Sequence, residues 1–291
     1  EETLSIESVP AILNMCRTQT GTIDFDDMIW LPLVNEYPLP HYDVMFVDEA
    51  QDFNEAQREL ISRCVNGGRC IIVGDKNQAI YGFRGADSNS MAMFRDRLVK
   101  KGEREVKDFS LSITWRCPTS VVAEANRYVK EFYAHDDAEV GSVNEFAPFN
   151  PQRNDMVLCR YNAPLVSAFY DLISQGKSAY ILGRDMTKGL INAVEKVTKN
   201  HQMGSDEFWT LYLSDFNYNY NKLIQQEKKS KALALEDKKD CISIFAHKAK
   251  TVGGIIEEIK RVFDGNDEGE IMLSTVHKAK GLEADNVYLL A

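Results

Sequence analysis

YDVMFVDEAQD, at residues 42–52, is an apolar run that leads directly into two neighbouring acids. The run Val44 to Val47 predicts a strand that is covered on both faces. Asp48 and Glu49 follow at its carboxyl end, with no turn signal between. Open α/β sheets bind ligands at that end, and nucleoside-triphosphate hydrolases place a magnesium-binding Asp and a water-orienting carboxylate there. The stretch therefore predicts a parallel α/β sheet with a hydrolase-type site at its edge.

A second apolar run, RCIIV at 69–73, follows a helical pattern at 55–65. Strand, helix and strand in this order predict a parallel pair with a crossover helix. Gln78 then lies in the loop after the neighbouring strand, where its amide could contact a terminal phosphate or an attacking water. A purely structural alternative remains open, in which the acidic string only caps the next helix through Asp52 or Asn54.

The rest of the chain predicts a second α/β region that contains a helical segment. Further strands are predicted at 110–113, 156–159, 179–182, 271–274 and 286–290. Further helices are predicted at 88–100, 118–132 and 163–175, the last with Leu165, Phe169, Leu172 and Ile173 on its apolar face. Between 187 and 262 no strand pattern occurs and helical spacing dominates, which predicts a small helical insertion.

Composition excludes several classes of protein. The 291 residues, 44% of them hydrophobic, are enough for two domains with ordinary cores. A formal charge of −10 argues against a protein that coats nucleic acid nonspecifically, although it allows a narrow basic channel. No long apolar segment or signal peptide occurs, so a cytoplasmic protein without a membrane span is expected. The six scattered cysteines predict buried reduced thiols.

Two aromatic residues and an arginine follow Gln78 in YGFRG, at 81–85. Tyr81 and Phe83 could be core residues, but glycines and Arg84 beside them suit a core poorly. Aromatic side chains with an interleaved arginine are typical of surfaces that stack bases and contact phosphates of a single strand.

Four strings in this order carry a family resemblance: DEAQD, GDKNQAIYGFRGAD, TWRCPTSVVAEAN and STVHKAKGLEADNVYLL. Together they resemble the UvrD/Rep/PcrA group of superfamily 1 DNA helicases, over about residues 24–290. The resemblance implies an α/β fold of two RecA-like domains, with parallel sheets flanked by helices and the helical insertion in the second domain. ATP with Mg²⁺ is expected between the domains, and single-stranded DNA across them.

The resemblance also implies roles for residues that match the motifs. Asp48 corresponds to the magnesium-binding acid and Glu49 to the catalytic base that activates water. Gln78 corresponds to the γ-phosphate sensor, and Arg116 to the arginine finger, a role that needs planar positive charge. Trp115 stands where relatives usually carry Tyr against the adenine ring.

Further carried-over roles concern ribose and DNA. Glu283 falls where the family holds the ribose, and Phe83 stands where relatives commonly carry Trp. The expected DNA contacts are Tyr81, Phe83, Arg84, Thr275, His277 and Lys278. From the residues alone, His277 could be a loop histidine without a partner and Lys278 a solvated lysine. Arg160 matches an arginine that follows a strand in the family, and its role stays open.

The chain also departs from the family pattern. No G-x-x-x-x-G-K-[ST] loop occurs, since Gly176-Lys177-Ser178 lacks the leading glycine, and no arginine-bearing motif follows the GLE string. We therefore expect an internal piece of a longer protein that is ATPase-inactive by itself. The expected parts are the end of the first RecA-like domain (1–107), the start of the second (108–186), the insertion (187–264) and the return to the second (265–291).

The leading hypothesis is an ATP-dependent helicase or translocase that moves 3′ to 5′ on single-stranded DNA, or on a duplex with a single-stranded tail, in repair, recombination or replication. It is expected to be a monomer, with a nuclease or repair protein as a partner. One alternative is a non-catalytic module that binds single-stranded DNA or a protein within a helicase–nuclease complex. Another is a generic α/β domain with acidic loops.

Overall fold

The computed structural model describes residues 8–65, 67–80, 89–100, 105–263 and 269–290. Its helices are α1 (Val9–Thr18), α2 (Asp27–Val34), α3 (Glu55–Cys64), α4 (Ser90–Lys100), α5 (Thr119–Ala125), α6 (Asn162–Ser174), α7 (Arg184–Val197), α8 (Ser205–Gln225), α9 (Lys229–Lys248) and α10 (Val252–Phe263). Its strands are β1 (Val44–Val47), β2 (Arg69–Ile72), β3 (Ile113–Thr114), β4 (Tyr133–Ala134), β5 (Met156–Cys159), β6 (Ala179–Leu182), β7 (Ile271–Thr275) and β8 (Val287–Leu289). The structure is mixed α/β with parallel sheets, which confirms the predicted class.

The chain divides into two compact units, Glu1–Glu145 and Phe146–Ala291. This division falls later than the predicted boundary at 107/108, so 108–145 group with the first unit. The assignment of the two RecA-like domains stays a prediction.

In the first unit, β1 and β2 pair in parallel, with Val47 opposite Ile72, and α3 is the crossover helix. Val47 packs in a small core with Ala50, Phe94 and Leu98. The predicted burial of both strand faces is wrong, because Phe46 is 75% exposed and Val44 is also exposed. Successive side chains of a strand point to opposite faces, and among the described residues only one face of β1 is covered.

The segment after β3 differs from its prediction. The predicted helix 118–132 ends at Ala125, and the strand predicted at 110–113 is the short β3. Asn126 explains the early helix end, because its side-chain amide donates to the carbonyl of Phe132 at 2.7 Å. Such local side-chain bonds compete with helical ones. β3 pairs in parallel with β4.

In the second unit, four parallel strands lie in the order β6-β7-β5-β8. Most of residues 187–262 lies in the helices α7 to α10, as predicted, and α10 buries Ile255, Ile256 and Ile259 in the core. On α6, Leu165, Phe169 and Leu172 are buried in the same core. Ile173, predicted to share their face, is 39% exposed, because it lies one residue beyond the buried stripe.

Two expectations from composition can be compared with the structure. All six cysteines are free thiols, with Cys64, Cys159 and Cys241 buried, whereas Cys16 is exposed on α1 and corrects the prediction of burial. Among the described helices, none has both the length and the apolar character needed to span a bilayer.

Candidate functional site

The tip of β1 carries two exposed carboxylates. The Asp48 side chain accepts the backbone N–H of Glu49 at 2.8 Å through Oδ1. Glu49 itself has φ 52° and ψ 35°, in the left-handed region. This conformation costs a non-glycine residue roughly 1–2 kcal/mol, and such strain concentrates at functional sites. The backbone turns there because the N–H of Ala50 donates to the carbonyl of Val73 at 3.1 Å.

Gln51 connects the tips of the two neighbouring strands, and the sequence reasoning gave it no role. Its side chain is 2% exposed. Its Nε2 donates to Oε2 of Glu49 at 2.5 Å, and its Oε1 accepts the backbone N–H of Asp75 at 3.1 Å. A glutamine within a string of acids is expected to be exposed, so the sequence gives no direct sign that Gln51 is buried. Its position at the tip of one predicted strand, next to the tip of the neighbouring predicted strand, was the feature that could have indicated a role.

A buried arginine supports the turn that carries Gln51. Arg58 on α3 is 3% exposed, and its guanidinium donates to the carbonyl of Phe53 at 2.7 Å and to Ser90 Oγ at 3.0 Å. Ser90 Oγ in turn donates to the carbonyl of Ala50 at 2.8 Å. The hydrogen bond from Arg58 lowers the pKa of the partner carboxyl of Glu55. Side chains of α3 and α4 therefore hold the turn after β1 through hydrogen bonds to its backbone carbonyls.

After β2, Asp75 organises the loop that contains Gln78. Oδ1 of Asp75 accepts the backbone N–H of Asn77 at 2.9 Å, and Oδ2 accepts Nε2 of Gln78 at 3.0 Å. Gln78 closes a single 3₁₀ turn, residues Lys76–Gln78. The predicted adjacency of the two strands is confirmed, so Gln78 follows the neighbour of the strand that ends at Asp48.

Trp115 and Arg116 lie directly after β3, on a separate two-stranded sheet. The backbone N–H of Arg116 donates to Thr114 Oγ1 at 3.3 Å. Trp115 stacks on the ring of His135, with ring centroids 3.6 Å apart, yet is 79% exposed. An indole held on one side and open to solvent can take a planar ring, as its predicted role requires.

In the second unit, the tips of β5 and β7 bring Arg160 and His277 together. Cys159 pairs with Thr275 in the sheet, and Nη1 of Arg160 lies 3.1 Å from Nδ1 of His277. The alternative of a partnerless loop histidine is therefore wrong. Burial, together with the charge of Arg160, lowers the pKa of His277. Because arginine only donates, Nδ1 accepts and the proton of the neutral ring lies on Nε2.

Thr275 and Lys278 belong to the same turn. Thr275 is buried at the end of β7, and its carbonyl accepts the backbone N–H of Lys278 at 3.0 Å. Lys278 Nζ lies close to Gly183, since a Cβ added there would be 3.6 Å from it. The turn of His277 and Lys278 therefore follows β7 and lies close to the carboxyl ends of β5 and β6. Glu283 is exposed in the loop before β8.

The predicted site residues therefore fall into three groups on three sheets. Asp48, Glu49 and Gln78 form one, Trp115 and Arg116 another, and Thr275, His277, Lys278 and Glu283 the third. Tyr81, Phe83 and Arg84 lie outside the described residues. The predicted convergence of these groups on one nucleotide stays a prediction.

Residues 6–98, which contain the first group, match the UvrD/REP helicase N-terminal domain. These residues are similar to the corresponding part of UvrD/PcrA-type helicases. The chain is similar to the ATP-dependent DNA helicase PcrA of Staphylococcus epidermidis and to that of Staphylococcus aureus, each 32% identical over 122 residues. The match covers 39% of this chain and 16% of each relative.

The UvrD/PcrA-type match covers β1, β2 and both tips, so Gln51 and Asp75 lie inside it with the predicted catalytic residues. The recognition of the family from four sequence strings is confirmed. Trp115, Arg116 and the second unit lie beyond the matched domain.

Proposed function

We propose that this chain is part of an ATP-dependent DNA helicase or translocase that moves 3′ to 5′ on single-stranded DNA in repair, recombination or replication. The observation that carries the proposal is the pair of exposed carboxylates, Asp48 and Glu49, of which Glu49 is joined to the loop of Gln78 by hydrogen bonds through Gln51 and Asp75. The likeness to proteins named ATP-dependent DNA helicase PcrA supports it.

The first group of residues fits a magnesium nucleotide. Mg²⁺ prefers carboxylate oxygens and keeps several waters, which suits an exposed Asp48 at the end of two parallel strands. When bound, the nucleotide supplies the phosphoryl group and the free energy of its hydrolysis. Asp48 would hold the metal, and Glu49, as general base, would accept a proton from water. Gln78 has a second N–H on Nε2 that can donate to a phosphoryl oxygen while the first donates to Asp75.

The proposal extends to the other nucleotide contacts and to the domains. Two RecA-like domains, 1–107 and 108–186 with 265–291, would close on the nucleotide, and 187–264 would be an insertion. Arg116 would place positive charge on the transferred phosphoryl group. Trp115 would cover the adenine, and Glu283 would accept a hydrogen bond from the ribose.

On the DNA side, the turn after β7 provides donors of three kinds. Lys278 provides positive charge, Thr275 a hydroxyl, and His277 an Nε2–H that Arg160 orients by occupying Nδ1. Tyr81, Phe83 and Arg84 would stack on bases and contact a phosphate. Because the chain carries a formal charge of −10, we propose a narrow track along one strand rather than a broad basic surface.

The decisive experiment uses the longer protein that we expect to contain this chain, here called the parent protein. DNA-stimulated ATPase activity is measured for wild type and Glu49→Gln. Loss of a general base lowers the rate by about 10²–10⁴-fold. Glu36→Gln is the matched control, because Glu36 is also an exposed glutamate with φ 52° in the first unit. An unchanged rate in Glu49→Gln would exclude the assigned role.

The same assay separates the proposal from a non-catalytic module. The 291 residues alone contain no phosphate-binding loop pattern, and we expect them not to hydrolyse ATP. The wild-type parent protein should hydrolyse ATP faster when single-stranded DNA is added. A parent protein that binds single-stranded DNA without any turnover would instead support the module.

A further inference from the structure

Gln51 has features that a solvated polar residue does not need. It is 2% exposed between the exposed Glu49 and the half-buried Asp52, and both ends of its amide are used. One end donates to the Glu49 carboxylate, and the other accepts from the backbone of the neighbouring strand tip. The amide does both at once, whereas an ionised glutamate lacks the donor and an apolar side chain lacks both groups.

Gly74 leaves room for this amide. A Cβ at position 74 would lie 2.5 Å from Oε1 of Gln51 and 2.9 Å from Sδ of Met91. Glycine at position 74 therefore leaves the space in which Oε1 of Gln51 accepts the N–H of Asp75. The left-handed backbone of Glu49 belongs to the same arrangement, since it is the residue whose side chain Gln51 holds.

The contact continues into the next loop. Asp75, whose N–H donates to Gln51, accepts Nε2 of Gln78 through Oδ2 at 3.0 Å. A continuous path of three contacts therefore runs from Glu49 through Gln51 and Asp75 to Gln78. Every member except Gln51 presents an exposed or half-buried side chain.

We propose that Gln51 is a positioning residue that orients the Glu49 carboxylate and links it to the Gln78 loop through Asp75. This inference rests on the proposed function, in which Glu49 and Gln78 act on the nucleotide. Movement of the Gln78 loop would then shift Asp75 and change the position of the base. Gln51 would touch neither nucleotide nor water, and its effect would pass through Glu49.

The test measures kcat and KM for ATP in the parent protein, with saturating single-stranded DNA, for wild type, Gln51→Leu and Gln51→Glu. Loss of a residue that orients a reacting group lowers kcat about 10–100-fold, and KM should change little because Gln51 does not contact the nucleotide. Gln51→Glu should lower kcat at least as far, because a second carboxylate then faces Glu49.

Two further variants keep the test decisive if Gln51 variants fold poorly. Gly74→Ala displaces the amide without changing it and should also lower kcat with little change in KM. Gln57→Leu is the structural control, because Gln57 is a nearby amide that accepts the N–H of Asn54 in the capping box of α3. It should lower the melting temperature and leave kcat and KM unchanged.

The outcomes separate the two claims. If Glu49→Gln abolishes turnover but kcat stays at the wild-type value in Gln51→Leu, Gln51→Glu and Gly74→Ala, the positioning role is wrong and the proposed function stands. An equal loss of kcat in Gln57→Leu also overturns the positioning role. If Glu49→Gln leaves turnover unchanged, the proposed function fails, and the positioning role fails with it.

Discussion

Replacing Asp237 by alanine removes a carboxylate that accepts three hydrogen bonds at the start of α6. Oδ1 accepts the backbone N–H groups of Asn162 at 2.8 Å and Ala163 at 2.9 Å, and Oδ2 accepts Nδ2 of Asn162 at 2.8 Å. The first N–H groups of a helix have no intrahelical partner. Asp237 lies on α9, within the predicted insertion, and therefore caps a helix that precedes it by more than sixty residues.

The expected loss follows from these contacts. Removing an N-cap oxygen costs about 0.5–2 kcal/mol, and a hydrogen bond to a charged group contributes about 1.5–3 kcal/mol. The contributions are not additive, and Asp237 is only half-buried, so water can replace part of the contacts. We expect Asp237→Ala to lower the free energy of unfolding of the second unit by about 2 kcal/mol, and Asp237→Asn by about half as much.

Urea unfolding measures this loss if the signal comes from the second unit alone. The chain has three tryptophans, of which Trp209 lies in the second unit, stacked on Tyr212 with ring centroids 5.5 Å apart. In a Trp30→Phe, Trp115→Phe background, fluorescence therefore reports the unit that contains Asp237. With a denaturant dependence of about 2 kcal/mol/M, the midpoint should fall by about 1 M.

Asp240→Ala is the matched control, because it removes the same charge from the same helix. Asp240 is exposed and pairs with Lys239 at 2.9 Å, an interaction of the kind that contributes about 0–1 kcal/mol. A double-mutant cycle with Asn162→Ala isolates the coupling across the two helices. Equal midpoints for Asp237→Ala and Asp240→Ala would refute the claim that the carboxylate caps α6.

Three further outcomes are expected. Because the pKa of His277 is lowered in the folded protein, the unfolded chain binds the proton first as pH falls, and the free energy of unfolding should decline below the ordinary histidine pKa. Arg160→Ala should raise the pKa of His277 in an NMR titration, with the signal assigned by comparison with His277→Gln. An unchanged pKa would contradict the contact between Arg160 and His277. Gly269→Ala should lower the urea midpoint, because the added Cβ would lie 2.6 Å from the backbone of Ala179. Gly189→Ala adds its Cβ into open space on α7 and should raise the free energy of unfolding by about 0.5–1 kcal/mol. A higher midpoint for Gly269→Ala than for Gly189→Ala would contradict both expectations. In the parent protein, Lys278→Ala should reduce the salt slope of single-stranded DNA binding by about 0.7, and Lys260→Ala, on the exposed face of α10, should leave it unchanged.

The first strand pair could be predicted because its signals are local. The apolar run ending at Val47 and the run ending at Ile72 are short, are separated by one helical pattern, and lead into polar residues. Consecutive strands with a crossover helix pair in parallel, so the neighbourhood of Asp48 and Gln78 followed from chain order alone. The family resemblance added roles for these residues that their spacing does not supply.

The contacts that hold these residues could not be predicted, because each depends on register. Gln51 reads as exposed until the tips of β1 and β2 are aligned, and only then does its amide meet Asp75. Arg160 and His277 lie 117 positions apart, and they meet because β5 and β7 are neighbours in a sheet whose order differs from chain order. Asp237 likewise needs the packing of α9 against α6.

Both units use the same physical device at their strand tips. At each site a side chain holds a residue that we expect to act on a ligand: Gln51, two residues further along the same turn, donates to Glu49, and Arg160, at the tip of the adjacent strand, donates to His277. Burial and the charge of Arg160 also lower the pKa of His277. A sequence that keeps Glu49 and His277 but loses Gln51 and Arg160 would therefore keep these two side chains and lose the contacts that orient them.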